Sequence, residues 1–550
     1  MKRNNLILFV TIFYLNALLS PVSAENQAVG QYNASNANTI FNWAEQFYFQ
    51  FFPNNQSIFP DNSKTHFHES GWIYRYYPAT DNYVGIYNDD VYVAGASFTT
   101  EPINIFSVAA AINIVHKAAS HAGSVGALGV ELPFRVMHSK ATLLDIRNGG
   151  YGSACAAHPR NRNQFYALTD RGPTMVFNGE AGKGKIFLFP DYSPRIGLFE
   201  LKENGTVAWL KDIVFKDTQG IKMTGLPNSQ DLGGTGEIPY GSDGKVLRNA
   251  QGNIRWDNSG LNSEGLVALR DGTFWVSDEY GPHIVHFDAE GQELERINPF
   301  VNDTRAVLNL PAEFSKRGAN QSMEGLAITP DQKTLVGIMQ STLENPDNGV
   351  LGSKLTRIVS INLETGLIGQ YLYKQDKKQN SNSEIVALTA TQFLVIERDG
   401  DLLNGGSKKA SSSAQKLIYK IDLRTGTNLE AVPLTDQISQ DDALGLMLKG
   451  RTLEQAVRKK GWGYLENRGI IPVQKTEIID MVSARDYPHD KMEGLWLIDS
   501  HTIGILNDDD FGLWPKNGIW EYKYINAERT QVDKNVLYII NNLNLSNNIE

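Results

Sequence analysis

Apolar and polar residues alternate along residues 262–283, NSEGLVALRDGTFWVSDEYGPH, and the alternation breaks at Asp271-Gly272. This pattern predicts two antiparallel strands joined by a tight turn. The unit then returns. NSEGLVAL at 262, SMEGLAIT at 322, NSEIVALT at 382 and KMEGLWLI at 491 are followed by a turn and a second apolar run: TFWVSDEYG, TLVGIMQS, QFLVIERDG and TIGILNDDDFG. An earlier copy, GSACAAHPRNRNQFYALTDRGP at 152–173, has the same shape with Ser153 in place of the glutamate. A further strand usually comes next, as in HIVHFD, RIVSINL, KLIYKIDL and GIWEYKYI. Short strands repeated as a unit, with no helical crossovers, predict an all-β fold of the β-propeller type. Five blades are visible, and the sequence leaves room for a sixth.

The flanking segments break this rhythm. FNWAEQFYFQFFP at 41–53 reads as a short helix ending in proline, and residues 72–96 read as two or three strands, so 38–98 is predicted to be a small α+β module. Its aromatic residues form either its own core or a platform for a surface or glycan. Residues 99–130, with INIFSVAAAINIVHKAAS, suit a helix or connector, and the propeller is expected over 131–545. Within it, 443–461 reads as a helical insertion, and 218–260, rich in Gly, Asp and Asn, as a long loop that shapes a site.

The start of the chain has another character. Lys2 and Arg3 precede an apolar run from Leu6 to Leu19, and Val22-Ser23-Ala24 fits a small-residue cleavage pattern, so 1–24 reads as a secretory signal peptide. The remainder is expected to be secreted or periplasmic, with no integral membrane segment. Cys155, the single cysteine, sits among small apolar residues and is expected in the core. The formal charge of −10 argues against nucleic acid as a main partner.

Hairpin geometry then gathers the charges. With the turn centred on Asp271-Gly272, Glu264 faces Glu279 and Asp278 lies beside it. The same reasoning sets Glu493 against Asp508, Glu384 against Glu397, Ser153 near Asp170 and Glu324 near Gln340. If these are the inner strands, acids ring the channel mouth. Crowded carboxylates raise one another's pKa unless a cation sits among them. A hard divalent cation, calcium first, is the expected cofactor, with Asn507-Asp508-Asp509-Asp510 as a supporting cluster. Arg171, Arg398, Lys491 and His283 are interleaved with the acids, either neutralising them or holding a phosphate.

Other chemistries lack their motifs. No GxSxG, HExxH or CxxC occurs. GEAGKGK at 179–185 matches a phosphate loop only in part, since Ile186 stands where Ser or Thr is required and a strand follows. His283 and His286 fall on opposite faces of a strand, which makes HIVH a poor metal pair.

ALTDRGP with FPDYSPRI, NSEGLVAL with FWVSDEYGPHIVHFDAEG, SMEGLAIT, IVALTATQFLVIERDGD, and MEGLWLI with LNDDDFG together resemble the bacterial phytase-like domain, also described as esterase-like activity of phytase. The resemblance covers about residues 140–530. It implies a propeller, a small-molecule ester as substrate, and site residues among Glu264, Asp278, Glu279, Glu324, Glu397, Arg398, Asp399, Glu493, Asp508 and Asp510, with Asp170 and Arg171. The chain departs from the repeat at Ile385, Ser153 and Gln340. The leading expectation is a secreted, metal-dependent phosphoric-ester hydrolase. Glu264, Glu324, Glu397, Glu493, Asp508 and Asp510 are the expected metal ligands. Asp278 or Glu279 is the expected base, and Arg171 and Arg398 stabilise charge. A calcium-dependent lactonase or carboxylic-ester hydrolase and a non-catalytic binding propeller are the alternatives.

Overall fold

This computed structural model describes residues 129–545 except 140, 143 and 517, and the backbone of five strands between residues 66 and 107. The chain divides into two compact units, Met1–Ala127 and Leu128–Glu550. The first contains a five-stranded antiparallel meander: His66–Phe67, Ile73–Tyr77, Asn82–Tyr87, Asp90–Gly95 and Ile103–Ser107. The segment read as a helix or connector therefore supplies a strand, because Ile103–Ser107 pairs with Asp90–Gly95. The signal peptide and the helix at 41–53 lie outside the described residues.

The second unit is built from repeated meanders. The first sheet comprises Ala154–Ala157, Gln164–Leu168, Arg195–Leu201 and Val207–Val214. The second runs Ser263–Ala268, Phe274–Asp278, His283–Phe287 and Glu293–Asn298, with Ala306–Asn309 added at its edge. The third runs Met323–Ile328, Thr334–Met339, Leu355–Asn362 and Ile368–Lys374. The fourth is Ser381–Ala387, Gln392–Arg398, Lys416–Asp422 and Gln474–Asp480. In the fifth, Gly494–Asp499, Thr502–Leu506 and Val536–Ile540 are joined by Val130–Glu131 from the start of the unit.

The first strands of the five sheets neighbour one another in a closed ring, each against the next and the fifth against the first. An apolar seam fills every junction. Leu168, Ile196 and Phe215 meet Leu266, Val276 and Phe287 between sheets one and two, and Trp275 and Ile297 meet Met323 and Leu335 at the next. Ile338 and Ile358 meet Ile385 and Phe393, then Leu394 and Ile418 meet Leu495 and Ile503. The ring closes where Trp496 and Leu506 pack on Cys155 and Phe165, with Phe165 and Trp496 stacked at 4.8 Å. Radial packing of this kind is a β-propeller.

Glycine in the repeated Glu-Gly-Leu follows from that packing. A Cβ on Gly265 would lie 2.4 Å from the Glu324 carbonyl oxygen, and one on Gly325 would lie 2.6 Å from the Ile385 nitrogen. Neighbouring inner strands come too close for any side chain there.

Two hairpin inserts lie beyond the second strands of their sheets. Thr174–Gly179 and Gly182–Phe187 extend the first sheet's Leu168–Arg195 connection, and Leu513–Lys516 with Ile519–Tyr522 extends the fifth's. The helical insertion, Leu453–Lys460, falls between the third and fourth strands of sheet four and opens with a capping box at Thr452 and Gln455. It docks beside sheet three, where buried Arg357 reaches Glu313 at 3.3 Å and Glu454 at 2.8 Å. Among the described residues, no helix is long and apolar enough to cross a membrane.

Candidate functional site

The hairpin turns place the acids through a register one residue away from the sequence expectation. Leu269 N donates to Thr273 O and Gly272 N to Leu269 O, so the loop is Arg270-Asp271-Gly272, with Gly272 at φ +97°. Gly265 therefore pairs with Ser277 and Leu266 with Val276. Ser263 pairs with Asp278, which leaves Glu264 in a β-bulge without a ladder partner. A bulge re-aims its side chain, and here it restores Glu264 to the same end as Glu279. Sheet three repeats the device, with Glu324 unpaired between Met323↔Met339 and Gly325↔Ile338.

Sheet four differs. There Asn382 pairs with Glu397 and Glu384 with Ile396, so the unpaired residue is Ser383. Ser383 is thus the counterpart of Glu264 and Glu324, while Glu384 takes the slot of Gly265 and Gly325. On the second strands, Arg398 stands with Asp170, Glu279, Gln340 and Asp508, and Glu397 is the counterpart of Asp278. The expected pairing of Glu384 with Glu397 is corrected accordingly. Glu397 receives Tyr373 Oη at 2.7 Å, Asp376 N at 2.6 Å and Lys475 Nζ at 2.6 Å. It lies outside the ring of rim acids and serves a structural cluster instead of a metal.

Glu384 has a separate role. Its carboxyl accepts the backbone N–H groups of Ile385 at 3.0 Å and Leu326 at 3.3 Å. It ties two inner strands together, and burial pushes its pKa well up.

Five first-strand positions (Ser153, Glu264, Glu324, Ser383, Glu493) and five second-strand positions (Asp170, Glu279, Gln340, Arg398, Asp508) therefore share one rim. Gln340 Nε2 donates to Glu279 Oε1 at 2.7 Å and also to Glu324. Asn262 Nδ2 holds Glu279 Oε2 at 2.9 Å. Arg398 donates to Ser383 Oγ at 3.0 Å and to Glu493. Lys491 Nζ bridges Asp508 at 2.5 Å and Asp510 at 2.7 Å. Asp510 is bound also by Lys523 at 2.7 Å, which makes it part of a buried ion cluster with Asp490 and Asp533.

Asp278 is committed elsewhere. Its carboxylate caps the turn, receiving Asn262 N at 2.7 Å and Gly281 N at 2.8 Å. Although burial lifts its pKa to about 6, both oxygens hold the backbone, so its part is support and not proton transfer. Asp399 likewise pairs with buried Lys416 at 2.7 Å.

The rim is electrostatically strained. Burial first, then Glu279, Glu493, Glu324 and Asp170, hold the Glu264 carboxyl well above the usual range. Burial and then Glu324 do the same to Glu279. Burial and the Asp508 charge bring Asp170 to about 7. Glu324 Oε2 is buried with no hydrogen-bond partner. In kind these oxygens suit a hard cation. In arrangement, among the described residues, no three His, Cys, Asp or Glu side chains converge to grip one.

Residues 146–511 match the family of phytase-like proteins, described as "Esterase-like activity of phytase". The chain belongs to the phytase-like family. A curated relative, an uncharacterized secreted protein of Arthroderma benhamiae, is 30% identical in an alignment 311 residues long that covers 46% of this chain and 59% of that protein. Among solved structures, the PQQ-bound aldose sugar dehydrogenase of Streptomyces coelicolor is similar at 9% identity over 88% of this chain and 96% of its own, with TM-score 0.25. Virginiamycin B lyase from Staphylococcus aureus is similar at 8% identity over 88% and 96%, with TM-score 0.22. Scores this low carry no argument about chemistry.

The phytase-like repeat does not account for the whole rim. Lys185, from the hairpin inserted in sheet one, and Glu237, from the long loop, lie beside Arg171. Neither falls in a repeat, and their sole signal in the sequence is the length of the two segments that carry them. Two clefts of about 240 and 250 Å³ lie elsewhere, one lined by Lys222, Thr224 and Arg255, the other by Tyr371, Thr391 and Asn428. Neither contains any rim residue.

Proposed function

We propose that this protein is an exported hydrolase of phosphoric esters that works at the acidic rim. The observation that carries the reading is the apposition of crowded carboxyls, Glu264, Glu279 and Glu324, with the cations Arg171, Arg398 and Lys491 around one ring. The family description supports ester hydrolysis, and the secreted relative and the apolar leader support export.

In this reading the cations meet the phosphoryl oxygens, where negative charge grows as the bond to the leaving oxygen breaks. Arg171 suits that part. Burial alone would lower its pKa, but Tyr280 and Glu237 hold the guanidinium firmly charged. Asp170, whose carboxyl burial and the Asp508 charge raise to about 7, takes the proton from the attacking water, since a base works best when its pKa lies near the working pH. Glu264, Glu279 and Glu324 do not converge on one point as a cation site requires, so no step is routed through a metal.

The test is phosphate release from phosphomonoesters, phosphodiesters and phytate, before and after chelation. Glu264→Gln combined with Glu324→Gln is expected to abolish release while the fold persists. Full activity in that double variant would sink the assignment. Carboxylic esters form the second reading, favoured because Arg398 is tied to Glu493 and Lys491 to Asp508 and Asp510, which engages two of the rim's cations internally.

A further inference from the structure

The rim holds two cations around one loosely placed carboxylate. Lys185 lies on Gly182–Phe187, and Glu237 directly precedes Ile238–Tyr240, which pairs in parallel with that strand, Gly184 opposite Ile238. Two adjacent strands therefore fix both residues. Arg171 follows the second strand of sheet one, and its guanidinium lies over the Tyr280 ring at 5.5 Å.

The contacts within this group are long. Arg171 Nη1 is 3.5 Å from Glu237 Oε2, and Lys185 Nζ is 3.7 Å from Glu237 Oε1. Charge-assisted hydrogen bonds settle at about 2.7–2.9 Å. Solvent does not make up the deficit, because the Arg171 side chain is 5% exposed and that of Lys185 is 14% exposed. The Glu237 carboxylate also takes a hydrogen bond from Thr235 Oγ1 at 3.0 Å, so its oxygens are shared three ways.

A carboxylate has two oxygens to offer this pair, whereas a phosphate has three and a second negative charge. The guanidinium fork can take two oxygens of a tetrahedral anion while the ammonium takes the third. Burial, and then Arg171, push the Lys185 pKa down to about 8, as expected where a like charge is close and the counter-charge is incomplete.

We infer that Arg171 and Lys185 form the recognition site for the substrate's phosphate group, with Glu237 as an internal counter-ion that the phosphate displaces. Lys185 is thus a specificity-determining residue, supplied by an insert and not by the repeat. The inference rests on the phosphoric-ester reading for its substrate, but binding of free phosphate tests it without turnover.

Calorimetry of the full chain with inorganic phosphate is the direct experiment, run beside hydrolysis of a phosphomonoester and of a neutral carboxylic ester. Lys185→Met is expected to weaken phosphate binding by roughly tenfold or more, the effect of losing one hydrogen bond to a charged group. Lys185→Arg restores it. Glu237→Gln tightens it, because the competing charge is gone. Unchanged phosphate affinity in Lys185→Met, weaker affinity in Glu237→Gln, or no phosphate binding by the wild type overturns the inference. Phosphate bound with this dependence, but with no ester hydrolysed, sinks the hydrolase reading and leaves the anion site standing. Hydrolysis indifferent to Lys185 does the reverse.

Discussion

The Glu384 carboxylate accepts the backbone N–H of Leu326, 3.3 Å away in the neighbouring sheet. Its other backbone partner is Ile385 on its own strand. One side chain therefore fastens two inner strands. Glu384→Ala would leave those N–H groups unpaired beside a cavity, and the expected loss is about 2–4 kcal/mol in urea unfolding. Glu384→Gln keeps a carbonyl acceptor and removes a buried acid, so it is expected to be far milder. Equal damage from both would show that the carboxyl's charge, and not its hydrogen bonding, matters.

Stability is expected to fall as pH rises. Burial is the first cause that lifts Asp170 to about 7 and Glu493 and Asp509 to about 8, and Glu264, Glu279 and Glu384 also stand well above the usual range. A raised carboxyl favours the folded state fully below its unfolded pKa, about 4. That contribution disappears as pH climbs through the folded value. Asp510 opposes this trend at low pH. Despite burial, Lys491 and Lys523 hold it below the ordinary range, so its contribution is lost in acid. Urea midpoints should therefore be higher near pH 5 than near pH 8.5 when divalent cations are chelated. A midpoint that rises over this interval would contradict the crowded rim.

Glu264→Gln with Glu324→Gln is expected to raise the urea midpoint at the alkaline end, because it removes two of the crowded carboxyls. Glu397→Gln should not, since Glu397 answers to Lys475 and Tyr373.

Asp278 and Glu279 are sequence neighbours with opposite expected phenotypes. Asp278→Ala removes the cap on the turn, and the melting temperature should drop. Glu279→Gln should leave melting unharmed while phosphate release falls at least about tenfold, the range expected on loss of a group acting directly in the site. Turnover unaffected by Glu279→Gln would move the site away from this rim.

Gly265 tests the packing account. Its missing Cβ makes room for Glu324 O, so Gly265→Ala must push two inner strands apart. A cost of about 1–3 kcal/mol is expected. No change in stability would mean the ring has slack at this junction.

Much of this arrangement was legible in the sequence because it repeats. Alternating runs with a glutamate at one end predicted sheets with a shared acidic rim, and Glu264, Glu279, Glu324, Glu493 and Asp508 lie there. Sheet four misled because the string NSE at 382–384 imitates NSE at 262–264, while the ladder places Ser383 and not Glu384 at the bulge. Letters can match while register slips by one, and in a strand that exchanges one face for the other. That slip also put Glu397 where Arg398 belongs. Lys185 and Glu237 were invisible for a different reason, since inserts follow no period and their meeting depends on a parallel pairing between distant segments.

Val130–Glu131 pairs with Val536–Ile540, so the earliest strand of the ring waits for the last. Synthesis from the N-terminus cannot complete this unit while residues 536–540 are still within the ribosome, and four sheets then stand with an unmet edge. Until then Val130 and its neighbours can pair with the wrong chain, as exposed strand edges do.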